Sequence, residues 1–167
     1  MSEAVEAILA LGSNLGDRVA TLDQAIKDLD AVEGIKVKKV SPLVESLAHT
    51  EAGPDETKPR YLNGVIRIKT TLKPKALLEA IREVENQHGR VRLERWGSRT
   101  LDIDIITYAN EIKDTKTLTI PHPRAYQRAF VLVPWAMIDE TAVLPGQGSV
   151  KELAEKVQKE VWLYEGN

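Results

Sequence analysis

The sequence predicts an α+β fold in a single domain, residues 1–167. Three observations lead there. A chain of 167 residues has a one-domain length, enough to bury roughly 70% of the surface its unfolded form exposes. Hydrophobic residues make up 43% and charged residues 29%, which are globular proportions. Apolar periods of about 2 and about 3.6 residues alternate along the chain, with no repeat or linker to divide it.

Val5 to Leu11 is a short apolar run that ends in Gly12-Ser13-Asn14-Leu15-Gly16-Asp17, a strand and then a turn. Val19, Leu22, Ile26 and Leu29 fall on one helical face, with Asp17 suited to cap that helix and Gly34 to close it. Ile35 to Leu47 is rich in β-branched residues and predicts a second strand. His49 to Arg60 holds Gly53, Pro54, Pro59 and several charges, and predicts a mobile loop. Tyr61 to Thr71 alternates, with Leu62, Gly64, Ile66 and Ile68 set against Tyr61, Asn63, Val65 and Arg67, and predicts a third strand. Pro74 suits the first turn of a helix whose stripe is Leu77, Leu78, Ile81 and Val84 and which Gly89 ends. Leu101 to Tyr108 predicts a fourth strand, with Leu101, Ile103 and Ile105 on one face and Asp102 and Asp104 on the other.

That order, β-α-β-β-α-β, is the ferredoxin-like arrangement: a sandwich, here with a C-terminal helical extension. The extension is expected to hold a short helix within Arg124 to Ile138, interrupted by Pro134. A last helix through Val157 opens on a capping box of Ser149 and Glu152. Trp162 and Tyr164 are expected to pack the C-terminus back onto the domain.

Composition excludes several functions. There is no cysteine, so disulfide scaffolds and Cys-ligated zinc or iron–sulfur sites are ruled out. No apolar run approaches the roughly 18 residues of a membrane-spanning helix. Glu3 and Glu6, with no basic stretch before the first apolar run, argue against a secretory signal. A cytoplasmic monomer with no membrane partner is the expectation. A net charge of −2 argues against a nucleic-acid binder.

Charge distribution says more than the sum. Four of the ten arginines, Arg90, Arg92, Arg95 and Arg99, lie in one stretch that leads directly into Asp102 and Asp104. On a strand, residues i and i+2 project from one face about 6.5–7 Å apart, so the two carboxylates can converge. Such a pair suits hard cations such as Mg²⁺, and two ions can share it. Alone, a D-x-D is more often a solvated strand face. Arginines beside it fit a metal–triphosphate complex, with the acids on metal and the guanidiniums on phosphate. Gly89 and Gly97 bracket much of the arginine run, as in a lid that carries positive charge to a site, although most charge runs are simply solvated. Trp96 within it could stack on a base or anchor the loop.

His122 sits between Pro121 and Pro123, and Arg124 and Arg128 follow at a spacing that shares a helical face. Phosphate contact and a helix-start histidine both explain this segment. The Gly12–Asp17 turn lacks the Lys-Ser/Thr ending of a P-loop. Asn63, if buried in its strand, must be paired, and the amide-like edge of a heterocycle would serve. Tyr61 and Phe130 offer flat surfaces for such a ring, though Phe130 also suits a core.

Four segments in order resemble the 6-hydroxymethyl-7,8-dihydropterin pyrophosphokinase family of folate biosynthesis: Leu11 to Arg18, Tyr61-Leu62-Asn63, Gly89 to Ile105, and Ile120 to Pro134. The resemblance covers nearly the whole chain. It implies an ATP pyrophosphokinase in which the pterin hydroxymethyl oxygen attacks the β-phosphorus of ATP and AMP leaves. It implies that Asp102 and Asp104 bind two Mg²⁺ ions, and that Arg90 and Arg92 lie on a catalytic loop, with Arg92 reaching ATP. Arg82, Glu85, Trp96, Arg99, Ile105, Thr119, His122 and Arg128 match nucleotide-side positions. Asn63 would bond the pterin edge, with Tyr61 and Phe130 on either side of the ring. Pro123 and Thr117 stand where some members carry an aromatic and a basic residue.

The residues by themselves admit two rivals. A two-metal nucleotidyltransferase also pairs aspartates on strands, but would release pyrophosphate. An RNA-binding ferredoxin-like module would stack bases on sheet aromatics, which these strands lack in number.

Overall fold

The computed structural model describes residues 3–13, 17–50, 53–55, 60–88 and 101–164, with the backbone alone at 48–50 and 53–55. The strands are β1 (Val5–Ser13), β2 (Ile35–Val40), β3 (Val44–Ser46), β4 (Ala48–Thr50), β5 (Gly53–Asp55), β6 (Tyr61–Thr70), β7 (Asp102–Tyr108), β8 (Lys113–Asp114), β9 (Thr119–Ile120), β10 (Val143–Leu144), β11 (Gly148–Ser149) and β12 (Val161–Leu163). The α-helices are α1 (Arg18–Asp30), α2 (Pro74–Gln87), α3 (Ala129–Ile138) and α4 (Val150–Val157). The main sheet has six strands in the order β12-β3-β6-β1-β7, with β2 also on β6, and all its pairings are antiparallel.

Both faces of this sheet are covered. Leu9, Leu11, Leu62, Ile66 and Ile103 pack against Leu22 and Leu29 of α1 and Leu77 and Ile81 of α2. On the other face Ile8, Ala10, Val65 and Ile106 pack against Val131, Leu132 and Trp135 of α3 and Val150 and Ala154 of α4. The C-terminal extension is therefore a third layer. This is why the expected third strand, β6, is buried on both sides over residues 62–66, as happens when helices cover both faces.

Local signals act as read at several ends. The Asp17 carboxylate accepts from Ala20 N at 3.0 Å and starts α1. Ser149 Oγ accepts from Glu152 N at 3.3 Å and starts α4. Gly34, at φ +94°, turns the chain into β2; an L side chain is strained at that φ, and its Cβ would stand 3.0 Å from the Leu72 side chain.

Four expectations are corrected. The strand expected over Ile35 to Leu47 is split into β2 and β3, because Pro42 has no N–H for a central ladder. Ser41 fills the gap: its Oγ accepts from Val65 N at 2.9 Å and donates to Pro42 O at 2.8 Å. The loop expected over His49 to Arg60 contains a short ladder of β4 on β5. Pro134 does not interrupt its helix but lies inside a continuous α3. A helix-interior proline costs about 3 kcal/mol. Burial of Ala129, Val131, Leu132, Trp135 and Ile138 around it offsets that cost. Trp162 does not pack inward: it is 43% exposed, with the Arg60 guanidinium 4.4 Å from its ring. The C-terminus is docked by Val161, by the pairing of β12 on β3, and by Tyr164, which reaches the first core and donates its N–H to Leu43 O.

Candidate active site

The site is built on the end of the sheet face that α3 and α4 leave open. Three central strands set its floor in rows. Asn63 of β6 lies opposite Gly12 of β1, which lies opposite Asp102 of β7. Two residues further along β6 and β7, Val65, Ala10 and Asp104 form the next row on the same face. Gly12 and Ala10 thus leave a trough between the asparagine on one side and the two carboxylates on the other. The trough needs the glycine: a Cβ at residue 12 would stand 2.8 Å from Asn63 Oδ1. Asn63 is buried, and the expectation that it be paired holds, since its Nδ2 donates to Ser46 Oγ of β3 at 2.8 Å.

The wall comes from the segment after β9. His122 N donates to Ile106 O of β7 at 2.9 Å, tying this segment to the sheet. A 3₁₀ turn over Ala125–Gln127 then delivers Arg128 as the residue before α3. Arg128 Nη1 stands 3.9 Å from Asp104 Oδ2, and its guanidinium lies 5.5 Å from the Phe130 ring. Together with Tyr61, Asn63, Gly12, Asp102, Gln127 and Glu160 these residues line a cavity of about 440 Å³.

A second depression, of about 300 Å³, opens on the other side of β7. Arg82 of α2, Ile103 and Ile105 of β7, the β8–β9 hairpin from Thr115 to Thr119, and His122 line it. Asp104 lines both depressions.

Electrostatics follow from this crowding. Burial holds the His122 imidazole below its ordinary pKa; Asp104 opposes that shift, while Arg128 and Arg124 add to it. The ring is therefore neutral near pH 7. Its Nδ1 accepts from Arg124 N at 3.2 Å, which assigns the proton to Nε2. Burial also lowers the pKa of Arg128, with Asp104 opposing, and the side chain stays a cation.

Asp102 and Asp104 fit a magnesium ion. They are hard oxygen donors on alternate residues of one strand face. Asp104 is 47% exposed, and its contact with Arg128 is long. Among the described residues no third carboxylate or histidine joins them. Magnesium is commonly held by one or two carboxylates, with water and substrate phosphate completing its octahedron.

The structure brings together Tyr61, Asn63, Asp102, Asp104, Arg128 and Phe130 in the larger cavity, and Arg82, Asp104, Ile105, Thr119 and His122 in the smaller. Glu85 lines neither. Arg90, Arg92, Trp96 and Arg99 lie outside the described residues. Sequence reasoning missed Gln127, Glu160 and Lys116 as lining residues, and nothing local marks them. Gly12 had a signal: a glycine at a strand end marks close approach of another group.

Residues 8–140 match the family model of 7,8-dihydro-6-hydroxymethylpterin-pyrophosphokinase. The 2-amino-4-hydroxy-6-hydroxymethyldihydropteridine pyrophosphokinase of Haemophilus influenzae is 40% identical over 152 residues, 91% of this chain and 92% of its own. The enzyme of the same name from Bacillus subtilis is 44% identical over 132 residues, 79% and 77% of the two chains. The wild-type HPPK-DHPS structure of Plasmodium falciparum superposes with a TM-score of 0.70 over 93% of this chain and 41% of that one. At 13% identity that likeness is one of fold, and this chain spans less than half of the Plasmodium protein.

Proposed function

The chain belongs to the 7,8-dihydro-6-hydroxymethylpterin-pyrophosphokinase family and is a pyrophosphokinase of folate biosynthesis acting on a hydroxymethyldihydropteridine with ATP as co-substrate; we propose how its residues divide that work. The larger cavity takes the reduced pterin and the smaller one takes ATP. Asp104, common to both, marks where the hydroxymethyl oxygen meets the β-phosphorus. That shared carboxylate is the observation that carries the reading.

In this reading Asn63, oriented by Ser46, bonds the pterin edge, and Tyr61 and Phe130 flank the ring. Ile105, Thr119, His122 and Arg82 border the nucleotide, and the neutral His122 offers its Nε2 proton as a donor. Asp102 and Asp104 hold magnesium, two ions by the family resemblance; bound there, it would neutralise and orient the phosphates. Arg128 stays beside the acid pair as a cation for the transferring group. The roles of Arg90 and Arg92 in transfer, and of Trp96 and Arg99 in shaping the nucleotide side, are supported by the Gly89–Ile105 motif alone. A bond forms from the pterin oxygen to the β-phosphorus, the bond from that phosphorus to the oxygen bridging it to the α-phosphorus breaks, AMP leaves with that oxygen, and the hydroxyl proton passes to solvent. With the acid pair and Arg128 this close, and with the charge a bound metal would add, positioning and charge would supply most of the acceleration.

The strand order around β6, β1 and β7 supports reading the sheet with α1 and α2 as ferredoxin-like. A single domain is supported by the length, and the net charge of −2 speaks for small-molecule substrates over nucleic acid; among the described residues no helix is long and apolar enough to cross a membrane.

Phosphorus NMR of ATP, Mg²⁺, the reduced hydroxymethylpterin and the protein tests the reading. Pterin-dependent AMP and a new diphosphate ester are expected. Release of pyrophosphate would instead favour a nucleotidyltransferase and overturn it.

A further inference from the structure

The buried stripe of α2 is apolar at Leu77, Ile81 and Val84, yet its last buried position is a carboxylate, Glu85, only 4% exposed. Taking a carboxylate out of water is costly unless it is hydrogen-bonded, so something must hold it there. Its Oε2 accepts from Ile103 N at 2.8 Å. Ile103 is the residue between Asp102 and Asp104, on β7, the last strand of the sheet order. Strand β1 pairs with one side of β7; along the other side, among the described residues, no strand of the main sheet follows. Among the described residues, groups outside the sheet hold that side of the chain: Glu85 at Ile103 N, and His122 N at Ile106 O.

We infer that Glu85 is a positioning residue for the aspartate pair. By holding the Ile103 N–H it fixes the pleat of β7 at the residue that sets how Asp102 and Asp104 project. Ile103 itself points to the α1–α2 core, so packing and the Glu85 bond together keep the acids turned toward the trough. An edge strand without this bond would be free to twist or bulge at the one place where two carboxylates must aim at a common point. This role rests on the reading that Asp102 and Asp104 hold the metal. It differs from the direct nucleotide contact implied by the resemblance, since Glu85 lines neither depression.

The test is Mn²⁺ binding, followed by its paramagnetic resonance signal with a non-hydrolysable ATP analogue, together with amide hydrogen exchange at Ile103. Glu85→Ala is expected to speed Ile103 exchange and to weaken Mn²⁺ binding by about 10- to 100-fold, the usual cost of losing a group that orients a metal ligand. Glu85→Gln retains a side-chain oxygen that accepts from Ile103 N, so Ile103 stays protected and Mn²⁺ affinity stays within about threefold of wild type. Unchanged Mn²⁺ affinity in Glu85→Ala with an exposed Ile103 amide would overturn the inference. So would a Glu85→Gln protein that keeps the amide protected and still loses Mn²⁺. If Glu85→Ala does not fold, the glutamine variant decides by the same criterion. Asp102→Ala separates the two readings: full Mn²⁺ affinity in that variant means the metal assignment has failed, whatever Glu85 does.

Discussion

The two depressions on either side of Asp104 are made of different material. The larger is floored by three neighbouring strands, its asparagine buried and tied to a second strand by a 2.8 Å hydrogen bond. The smaller is bounded by a helix face and by the β8–β9 hairpin, whose Thr115 to Thr117 are exposed. A hydrogen-bonded sheet resists deformation, and side chains locked by packing lose little entropy when a ligand arrives. A short hairpin held largely by its own turn bonds, Thr115 N to Leu118 O among them, gives less preorganisation. On the proposed assignment of pterin to the larger depression and ATP to the smaller, the difference teaches that the pterin is to be read by shape and hydrogen-bond pattern and the nucleotide gripped mainly by charge.

Substitutions should break that comparison to different degrees. The largest effect is expected where the halves meet. Asp104→Ala should reduce turnover by at least about a thousandfold, on the order of 4 kcal/mol, with the fold intact by circular dichroism. Near-normal turnover would remove the shared carboxylate from the reaction. On the sheet side, Asn63→Leu should raise the pterin Kd about 10- to 100-fold, since a buried hydrogen-bonding group is worth about 1–3 kcal/mol. Calorimetry should find ATP affinity unchanged. Gly12→Ala should act in the same direction by crowding Asn63 Oδ1, by about tenfold. On the loop-and-helix side, Arg82→Ala should raise the KM for ATP about fivefold or less, because an exposed cation contributes about 1 kcal/mol. A larger loss there than at Asn63 would reverse the contrast between the halves.

The smallest effect should come from the clasp between the helices beneath the nucleotide side. His88 Nε2 lies 2.8 Å from Asp28 Oδ2, joining the end of α2 to α1. Hydrogen bonds from Gln24 and His88 hold the Asp28 carboxyl below its ordinary pKa. A depressed carboxyl pKa stabilises the fold above the unfolded value, near 3.9, and that contribution is lost as the pH falls through the folded value. Asp28→Asn should therefore lower Tm by about 1–3 °C near pH 7, and the difference should fade below about pH 4. A difference that persists at pH 2 would assign it to packing.

Much of this was written locally. Asp17, Ser149, Gly34 and Pro74 act within a few residues of themselves, so the starts of α1, α2 and α4 and the turn into β2 were legible. So was the period-two pattern that sets Asp102 and Asp104 apart from Ile103 and Ile105. What failed depended on distant partners. The gap at Pro42 is bridged by Ser41 reaching Val65, 24 positions away. Pro134 is tolerated because a sheet and a second helix bury the turn around it. Trp162 faces outward because its neighbours, not its own hydrophobicity, decide which side of β12 is covered. In the site, residue types announced the acids, the amide and the aromatics. The sequence alone determined which chemical groups this protein has to work with and where its helices begin. Only the tertiary structure decided that Gly12 opens a trough, that Ser46 turns Asn63, and that one carboxylate serves two depressions. Hydrogen bonding and packing across strands join residues far apart in sequence, and nothing in a residue's own neighbourhood encodes them.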